Sequence, residues 1–186
     1  MHTSDAIRDR RSIRRFTDRP VPREYIETLL EAATAAPNHR LTQPWRFYVL
    51  GPEARYEFGL VLGGRKAKKI EDPAAAKAMR ETVASEHRAL PGMIVAAVVN
   101  SDNPEIAEED YAATMMAVQN LALAATAIGL GTHIKSGAVM NDAAARAAMG
   151  VREGERVVAM INVGEPAEVP PPKQREPASA FTTWLP

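Results

Sequence analysis

The chain has 186 residues, of which 46% are hydrophobic, and its 23 basic and 23 acidic residues cancel to a net charge of 0 at pH 7. This length suits a single domain over residues 1–186, and the charge balance argues against nonspecific binding to nucleic acid or to an anionic membrane. The absence of cysteine excludes disulfides, thiolate zinc sites, iron–sulfur clusters and cysteine nucleophiles. The first residues do not resemble a signal peptide, so we expect a soluble cytoplasmic protein.

The N-terminal half is predicted to be mostly helical, with one strand. Helices are expected over 5–9, from Pro22 to just before Pro37, from Pro52 onward and over Pro73–Arg88, and a strand over Trp45–Leu50. The basic segment Gly63–Asp72 begins with a glycine pair, and we expect it to be exposed and mobile.

The C-terminal half contains two apolar runs of strand length, and its longest element is an alanine-rich helix. Strands are predicted over Met93–Val99 and Arg156–Val163, helices over Ile106–Ile128 and Asp142–Met149, and a loop over Gly131–Gly137. About three strands and five or six helices without a regular β-α-β alternation favour an α+β fold with a central sheet over a doubly wound sheet.

The helix predicted over Ile106–Ile128 is apolar around most of its circumference after its acidic first turn. Gln119 and Asn120 lie in its middle and strongly apolar residues are sparse, which argues against a membrane span. Such a helix belongs in the core or at a subunit interface, and it indicates an oligomer. The last 22 residues contain six prolines and are predicted to extend over a partner subunit, with a disordered terminus as the alternative.

No familiar catalytic motif is present in the sequence. The four histidines have no metal-ligand spacing and no G-x-S-x-G occurs, so we predict no metal site and no catalytic side chain, and we expect a cofactor to supply any chemistry. Arg10, Ser12 and Arg14 alternate and point to one side of an extended chain, where they could bind a phosphate. Lys173 and Arg175 form a second basic pair. The alternative for both groups is an ordinary solvated surface.

Several motifs together resemble one known family. The order Arg10-Arg11-Ser12-Ile13-Arg14-Arg15-Phe16, followed by Ala36-Pro37-Asn38-His39-Arg40-Leu41-Thr42-Gln43-Pro44-Trp45-Arg46-Phe47, is similar to the opening of the FMN-dependent nitroreductase family. Gly129-Leu130-Gly131, Gly164-Glu165-Pro166 and Pro171-Pro172-Lys173-Gln174-Arg175 also fit that pattern. The resemblance extends over nearly the whole chain and is greatest to the compact bacterial members.

The resemblance implies a homodimer with FMN at the subunit interface and a central, mostly antiparallel sheet flanked by helices. Its tail, residues 165–186, would wrap the partner. By matching position, Arg10, Arg11 and Ser12 would hold the phosphate and ribityl chain, and Arg14 would approach the N1/O2 edge of the flavin. The remaining matched positions are a loop that reaches FMN from the other subunit (Pro37, Asn38, His39), a loop near the flavin (Ile134, Lys135, Ser136) and phosphate contacts in the tail (Lys173, Arg175).

The resemblance also implies an activity. NAD(P)H would reduce the flavin and leave, and a flat electron-poor small molecule such as a nitroaromatic or quinone would then be reduced, in a ping-pong mechanism. Two alternatives stay open. The same cofactor could serve reductive dehalogenation or dehydrogenation of another substrate, or the protein could be a non-catalytic nucleotide-binding dimer.

Overall fold

A four-stranded antiparallel sheet forms the centre of the computed structural model, which describes residues 1–186. The strands are β1 (Trp45–Val49), β2 (Met93–Val99), β3 (Gly131–Lys135) and β4 (Glu155–Gly164). Their order in the sheet is β1-β2-β4-β3, and every neighbouring pair is antiparallel. The predicted α+β fold with a central antiparallel sheet is confirmed.

Six α-helices surround the sheet. They are α1 (Thr3–Asp9), α2 (Arg23–Thr34), α3 (Pro52–Ala67), α4 (Pro73–Arg88), α5 (Pro104–Ala127) and α6 (Ala143–Ala148), with short 3-10 turns at Ala138–Asn141 and Ala178–Phe181. The starts of α4, α5 and α6 are set by the side chains of Asp72, Asn103 and Asp142, which accept backbone N–H bonds of the first turn. No helix combines the length and the hydropathy that crossing a membrane would require.

The core lies on both faces of the sheet. On one face α2 and α5 pack their apolar sides against the strands, with Leu29 and Leu121 fully buried. On the other face α3 and α6 pack over Met93 and Val95, and Phe58 is fully buried there. Full burial of each such side chain contributes about 1.5–3 kcal/mol.

Helix α5 is the long alanine-rich helix that the sequence predicts, and it begins two residues earlier than expected. Its buried side follows helical spacing through Ala113, Ala117, Leu121 and Ala125. The helix also leaves two large apolar side chains, Tyr111 and Met116, each 41% exposed, and Ile128 at its C-cap is equally exposed. Exposed apolar side chains along one helix are a feature of interaction surfaces.

The predicted loop over Gly131–Gly137 is wrong, because residues 131–135 form β3. The strand pairs with β4 from Gly131 opposite Gly164 to Lys135 opposite Met160. Thr132 and Ile134 are β-branched and lie two residues apart, so they share one face of the strand, as is typical of a half-buried strand. Gly131, His133 and Lys135 occupy the other three of its five positions, so the strand pattern is difficult to recognise in the sequence.

The expectation for Gly63–Asp72 is also wrong in its first part, because α3 continues to Ala67 and buries Gly63. A Cβ at Gly63 would lie 2.8 Å from the Cα of Arg80, and one at Gly59 would lie 2.6 Å from the Cα of Ala84. These glycines allow α3 and α4 to pack backbone to backbone. In this segment glycine serves helix packing and does not end the helix.

Candidate functional site

The arginine-rich N-terminal segment lies along the open side of β3. Ser12 forms a parallel bridge with Thr132, and the Ile13 N–H donates to the Thr132 carbonyl at 2.9 Å. Ile13 is 3% exposed while Ser12 and Arg14 are exposed. The buried isoleucine therefore anchors the segment, and its polar neighbours face outward as the alternation predicts.

Gly131 makes this close approach possible. A Cβ at Gly131 would lie 2.3 Å from Cγ1 of Ile13 and 3.0 Å from Cγ of Pro166. No side chain larger than hydrogen fits between β3 and the segment, so the glycine is needed for the space that it leaves.

The segment is also bonded to the chain that follows β4. Phe16 and Pro166 form an antiparallel bridge, the Thr17 N–H donates to the Glu165 carbonyl at 2.9 Å, and the Ala167 N–H donates to the Arg15 carbonyl at 3.0 Å. These bonds place the start of the proline-rich tail beside the arginines.

The two segments enclose a cleft of about 880 Å³, which we call the arginine cleft. Seven of its 13 lining residues are cationic: Arg8, Arg10, Arg11, Arg14, Arg15, Lys173 and Arg175. Glu168 is the single acidic residue of the lining. Such an excess of positive charge in a concave surface attracts and binds anions.

Most of these cations have no carboxylate partner. Arg8 pairs with Asp5 at 2.7 Å and Arg15 with Glu168 at 3.5 Å. The other five form no ion pair within 4.0 Å: Arg10, Arg11, Arg14, Lys173 and Arg175. Arg11 donates to two backbone carbonyls, and its buried Nε has no partner. The arginine cleft therefore has free donors for an anionic group.

Strand β3 has two titratable side chains, His133 and Lys135, and neither of them lines the arginine cleft. Burial lowers the pKa of Lys135, and Lys66 lowers it further. Burial also lowers the pKa of His133, with additional contributions from Lys135 and Arg14. Neither side chain forms an ion pair. A half-buried ammonium without an anion is unfavourable by itself, and it becomes favourable when an anionic or electron-rich group approaches.

The structure separates the remaining predicted residues from the arginine cleft. Ile134 packs against the core on the α2 and α5 side of the sheet. Ser136 is exposed and lines a different cavity of about 660 Å³, together with Tyr111 and Asn141. Pro37, Asn38 and His39 do not line the arginine cleft.

The loop that contains Asn38 and His39 is fixed to the N-terminal half of α5. His39 Nδ1 lies 3.0 Å from Oε1 of Glu109, and Arg40 Nε donates to the other oxygen of that carboxylate at 2.9 Å. The bonds from His39 and Arg40 lower the pKa of Glu109. Thr42 donates to the buried carboxylate of Asp110 at 2.5 Å. These bonds give the exposed His39 side chain a defined position.

The same loop contains backbone strain. Leu41 and Gln43 have positive φ angles of 50° and 45°, a conformation that disfavours residues with a Cβ. The Asn38 carboxamide compensates by accepting the Gln43 N–H at 2.7 Å. Strained loops held by side-chain bonds are concentrated at functional sites.

Sequence reasoning missed four contributors to this region. His133 and Gly131 lie in a segment predicted to be a loop. The proximity of His133 to Arg14 and of Gly131 to Ile13 could therefore not be predicted. Arg8 and Arg15 line the arginine cleft, but neither was singled out among the seven arginines from Arg8 to Arg23. The alternation of Thr132 and Ile134 is the signal that could have revealed the strand.

Comparison with known proteins identifies the family. Residues 7–165 match the model of the nitroreductase family, which is a family of oxidoreductases. The chain is 35% identical over 173 residues to a Bacillus subtilis protein named "Putative NAD(P)H nitroreductase YfhC", with 93% of this chain and 89% of that protein covered. The chain therefore belongs to the nitroreductase family.

Solved structures agree with this assignment. The nitroreductase-like family protein from Bacillus cereus superposes with a TM-score of 0.84 at 28% identity, covering 100% of this chain and 96% of that one. A "putative nitroreductase in complex with fmn" from Desulfovibrio desulfuricans superposes with a TM-score of 0.75, also at 28% identity, covering 100% and 98%.

Proposed function

We propose that this protein is an FMN-dependent oxidoreductase that takes hydride from NAD(P)H and reduces flat, electron-poor acceptors such as nitroaromatics or quinones. Family membership, the name of the Bacillus subtilis relative and the FMN complex of the Desulfovibrio desulfuricans protein support the proposal.

The arginine cleft is the observation that carries it. A phosphate monoester has about two negative charges at pH 7 and three acceptor oxygens. Five cations without carboxylate partners, the hydroxyl of Ser12 and the orphaned Nε of Arg11 fit the phosphate and ribityl groups of FMN. We assign Arg10, Arg11 and Ser12 to this end of the cofactor, with Lys173 and Arg175 as further phosphate contacts.

The isoalloxazine ring would lie toward Arg14 and β3. FMN, when bound, accepts a hydride from NAD(P)H and passes the reducing equivalents to the acceptor. Arg14 would provide fixed positive charge, which favours an electron-rich ring, and Lys135 would add to it from β3. The segment Ile134, Lys135 and Ser136 would contribute the strand edge and the turn after it. No side chain of the protein is needed as acid or base in this proposal.

We further propose that the site is completed in a homodimer, in which Pro37, Asn38 and His39 contact the FMN of the partner subunit. The exposed apolar side chains of α5 and the bonded, strained conformation of this loop support the proposal. The tail, with Phe181 79% and Trp184 90% exposed, would dock on the partner. An obligate interface of this type would bury about 2,000 Å² or more.

A visible spectrum of the purified protein tests the proposed function. A flavin spectrum should be present, NAD(P)H should bleach it without oxygen, and a nitroaromatic or quinone should restore it with a ping-pong kinetic pattern. A protein that stays colourless after incubation with FMN would be a non-catalytic binder. A yellow protein that NAD(P)H does not bleach would instead indicate reductive dehalogenation or dehydrogenation of another substrate.

Replacing Arg10 by alanine is predicted to weaken FMN binding by about tenfold or more. A hydrogen bond to a charged group contributes about 1.5–3 kcal/mol, and tenfold corresponds to about 1.4 kcal/mol. The ratio of flavin to protein after dialysis measures the loss. Arg152→Ala, which removes an exposed arginine outside the arginine cleft, is the matched control. Unchanged occupancy in Arg10→Ala would contradict the phosphate assignment.

Replacing Arg14 by glutamine is predicted to lower the two-electron reduction potential of bound FMN. The substitution keeps a hydrogen-bond donor and removes the positive charge that stabilises the reduced ring. A fall of about 30 mV corresponds to a tenfold change in the relative affinity for the two oxidation states. Spectroelectrochemical titration measures it, with Arg19→Gln as the control because Arg19 lies outside the arginine cleft and pairs with Glu165. A potential that rises or stays constant would place Arg14 away from the ring.

A further inference from the structure

A third cavity lies where α2, the end of β1 and the turn after α4 meet. Its volume is about 670 Å³, and it shares no lining residue with the arginine cleft. Ile26, Leu30, Leu90 and Met93 contribute apolar wall. Cavities of 300–1,000 Å³ with mostly apolar walls and a few polar groups are typical small-molecule sites.

One charged side chain is buried in the wall of this cavity. Arg55, on α3, is 8% exposed, and no carboxylate lies within 4.0 Å of its guanidinium. It donates to the carbonyls of Leu50 at 3.3 Å and Arg88 at 3.1 Å, and its buried Nε has no partner. Burial lowers the pKa of Arg55. A buried cation without an anion is strongly unfavourable, and these two carbonyls leave three of its five N–H groups unassigned.

The other two arginines of the cavity, Arg23 and Arg88, each have a carboxylate partner. Arg23 bonds to Glu27 at 2.6 Å, and Arg88 bonds to Glu53 at 2.5 Å. Arg55 is therefore the one guanidinium of this cavity without a carboxylate. Three arginines together with Asp18 and Glu27 give the lining a formal charge of +1, which suits a ligand with one negative charge.

We propose that this cavity binds a small monocarboxylate with an apolar tail, whose carboxylate pairs with Arg55. A carboxylate matches a guanidinium in geometry and removes the cost of the unpaired charge. The apolar walls would bury the tail. A phosphate dianion fits less well, because a single buried guanidinium and a lining charge of +1 leave its second charge unbalanced.

Calorimetric titration of the full 186-residue chain with octanoate and with octanamide tests the proposal. The two probes share the same tail and differ in charge, and neither is a flat ring that would stack in a flavin site. We expect octanoate to bind about tenfold more tightly than octanamide or better, since a charged hydrogen bond is replaced by a neutral one. Hexyl phosphate is expected to bind more weakly than octanoate.

Three variants locate the binding. Arg55→Met keeps an unbranched apolar stem, shorter than that of arginine, without the charge, and should weaken octanoate binding by about tenfold or more. Gly51→Trp adds an indole to a cavity-lining residue whose φ is −70° and whose Cβ would meet no atom within 4 Å, so it should block the cavity without straining the fold. Arg152→Met, outside the cavity, should bind octanoate as the wild type does.

Four results would overturn the proposal: no octanoate binding at millimolar concentration, equal affinities for octanoate and octanamide, tighter binding of hexyl phosphate, or wild-type octanoate affinity in Gly51→Trp. The Gly51→Trp measurement tests the location of octanoate binding even if the Arg55→Met variant does not fold. None of these outcomes depends on FMN or on reductase activity, so the proposed function is tested separately.

Discussion

Replacing Gly131 by alanine is expected to reduce both the stability of the protein and its FMN content. The added Cβ would lie 2.3 Å from Cγ1 and 2.9 Å from Cβ of Ile13, so the arginine segment must move away from β3. Ile13 is 3% exposed and cannot be displaced without opening the packing around it. Overpacking of this type costs about 1–3 kcal/mol.

The loss of FMN follows because Arg10, Ser12 and Arg14 move with Ile13. Urea unfolding and the ratio of flavin to protein measure the two effects. Gly51→Ala is the matched control, because a Cβ at Gly51 meets nothing within 4 Å and its φ of −70° suits alanine. If Gly131→Ala unfolds like the control and retains wild-type flavin, the segment does not depend on this close approach.

Removing residues 169–186 is expected to weaken the dimer and to release FMN. The deletion takes Lys173 and Arg175 from the arginine cleft. It also takes Phe181, Trp184 and Leu185, which are 79%, 90% and 85% exposed on the single chain. Large apolar side chains left this exposed are suited to docking on a second surface. Sedimentation velocity and the visible spectrum of the truncated chain measure the two losses.

Paired substitutions separate the two contributions of the tail. The double variant Lys173→Ala, Arg175→Ala should lower FMN retention more than dimer stability. The double variant Phe181→Ser, Trp184→Ser should lower dimer stability more than FMN retention. A truncated chain that is a monodisperse monomer, holds stoichiometric FMN and oxidises NAD(P)H would defeat the proposal that the site needs the dimer.

The elements that could be predicted have a strong local signal. The run Met93–Val99 is continuously apolar because β2 is buried on both faces, and α5 has a capping asparagine, a first-turn proline and helical spacing. Strand β3 has no comparable signal in five residues. Its identity as a strand depends on pairing with β4, which lies twenty residues later in the chain.

In the candidate site, too, some features have a local sequence signal and others depend on contacts between distant parts of the chain. The alternation of Arg10, Ser12 and Arg14 is local, and all three residues line the arginine cleft, but so do Arg11 and Arg15, which the alternation does not include. The meeting of these residues with Lys173 depends on the bridge between Phe16 and Pro166, which no local pattern records. The loop at His39 and the turn at Ser136 lie outside the arginine cleft, so their predicted contacts with FMN stay predictions that require a second subunit.

The position of the arginine segment on β3 has a consequence for the behaviour of the protein in solution. β3 is the last strand on its side of the sheet, and an open strand edge can pair with a strand of another molecule and begin aggregation. Residues 12 and 13 occupy that edge beside Thr132, and the flanking guanidiniums repel an identical edge. The residues proposed to hold the cofactor therefore also cover this edge of the sheet and place positive charge along it.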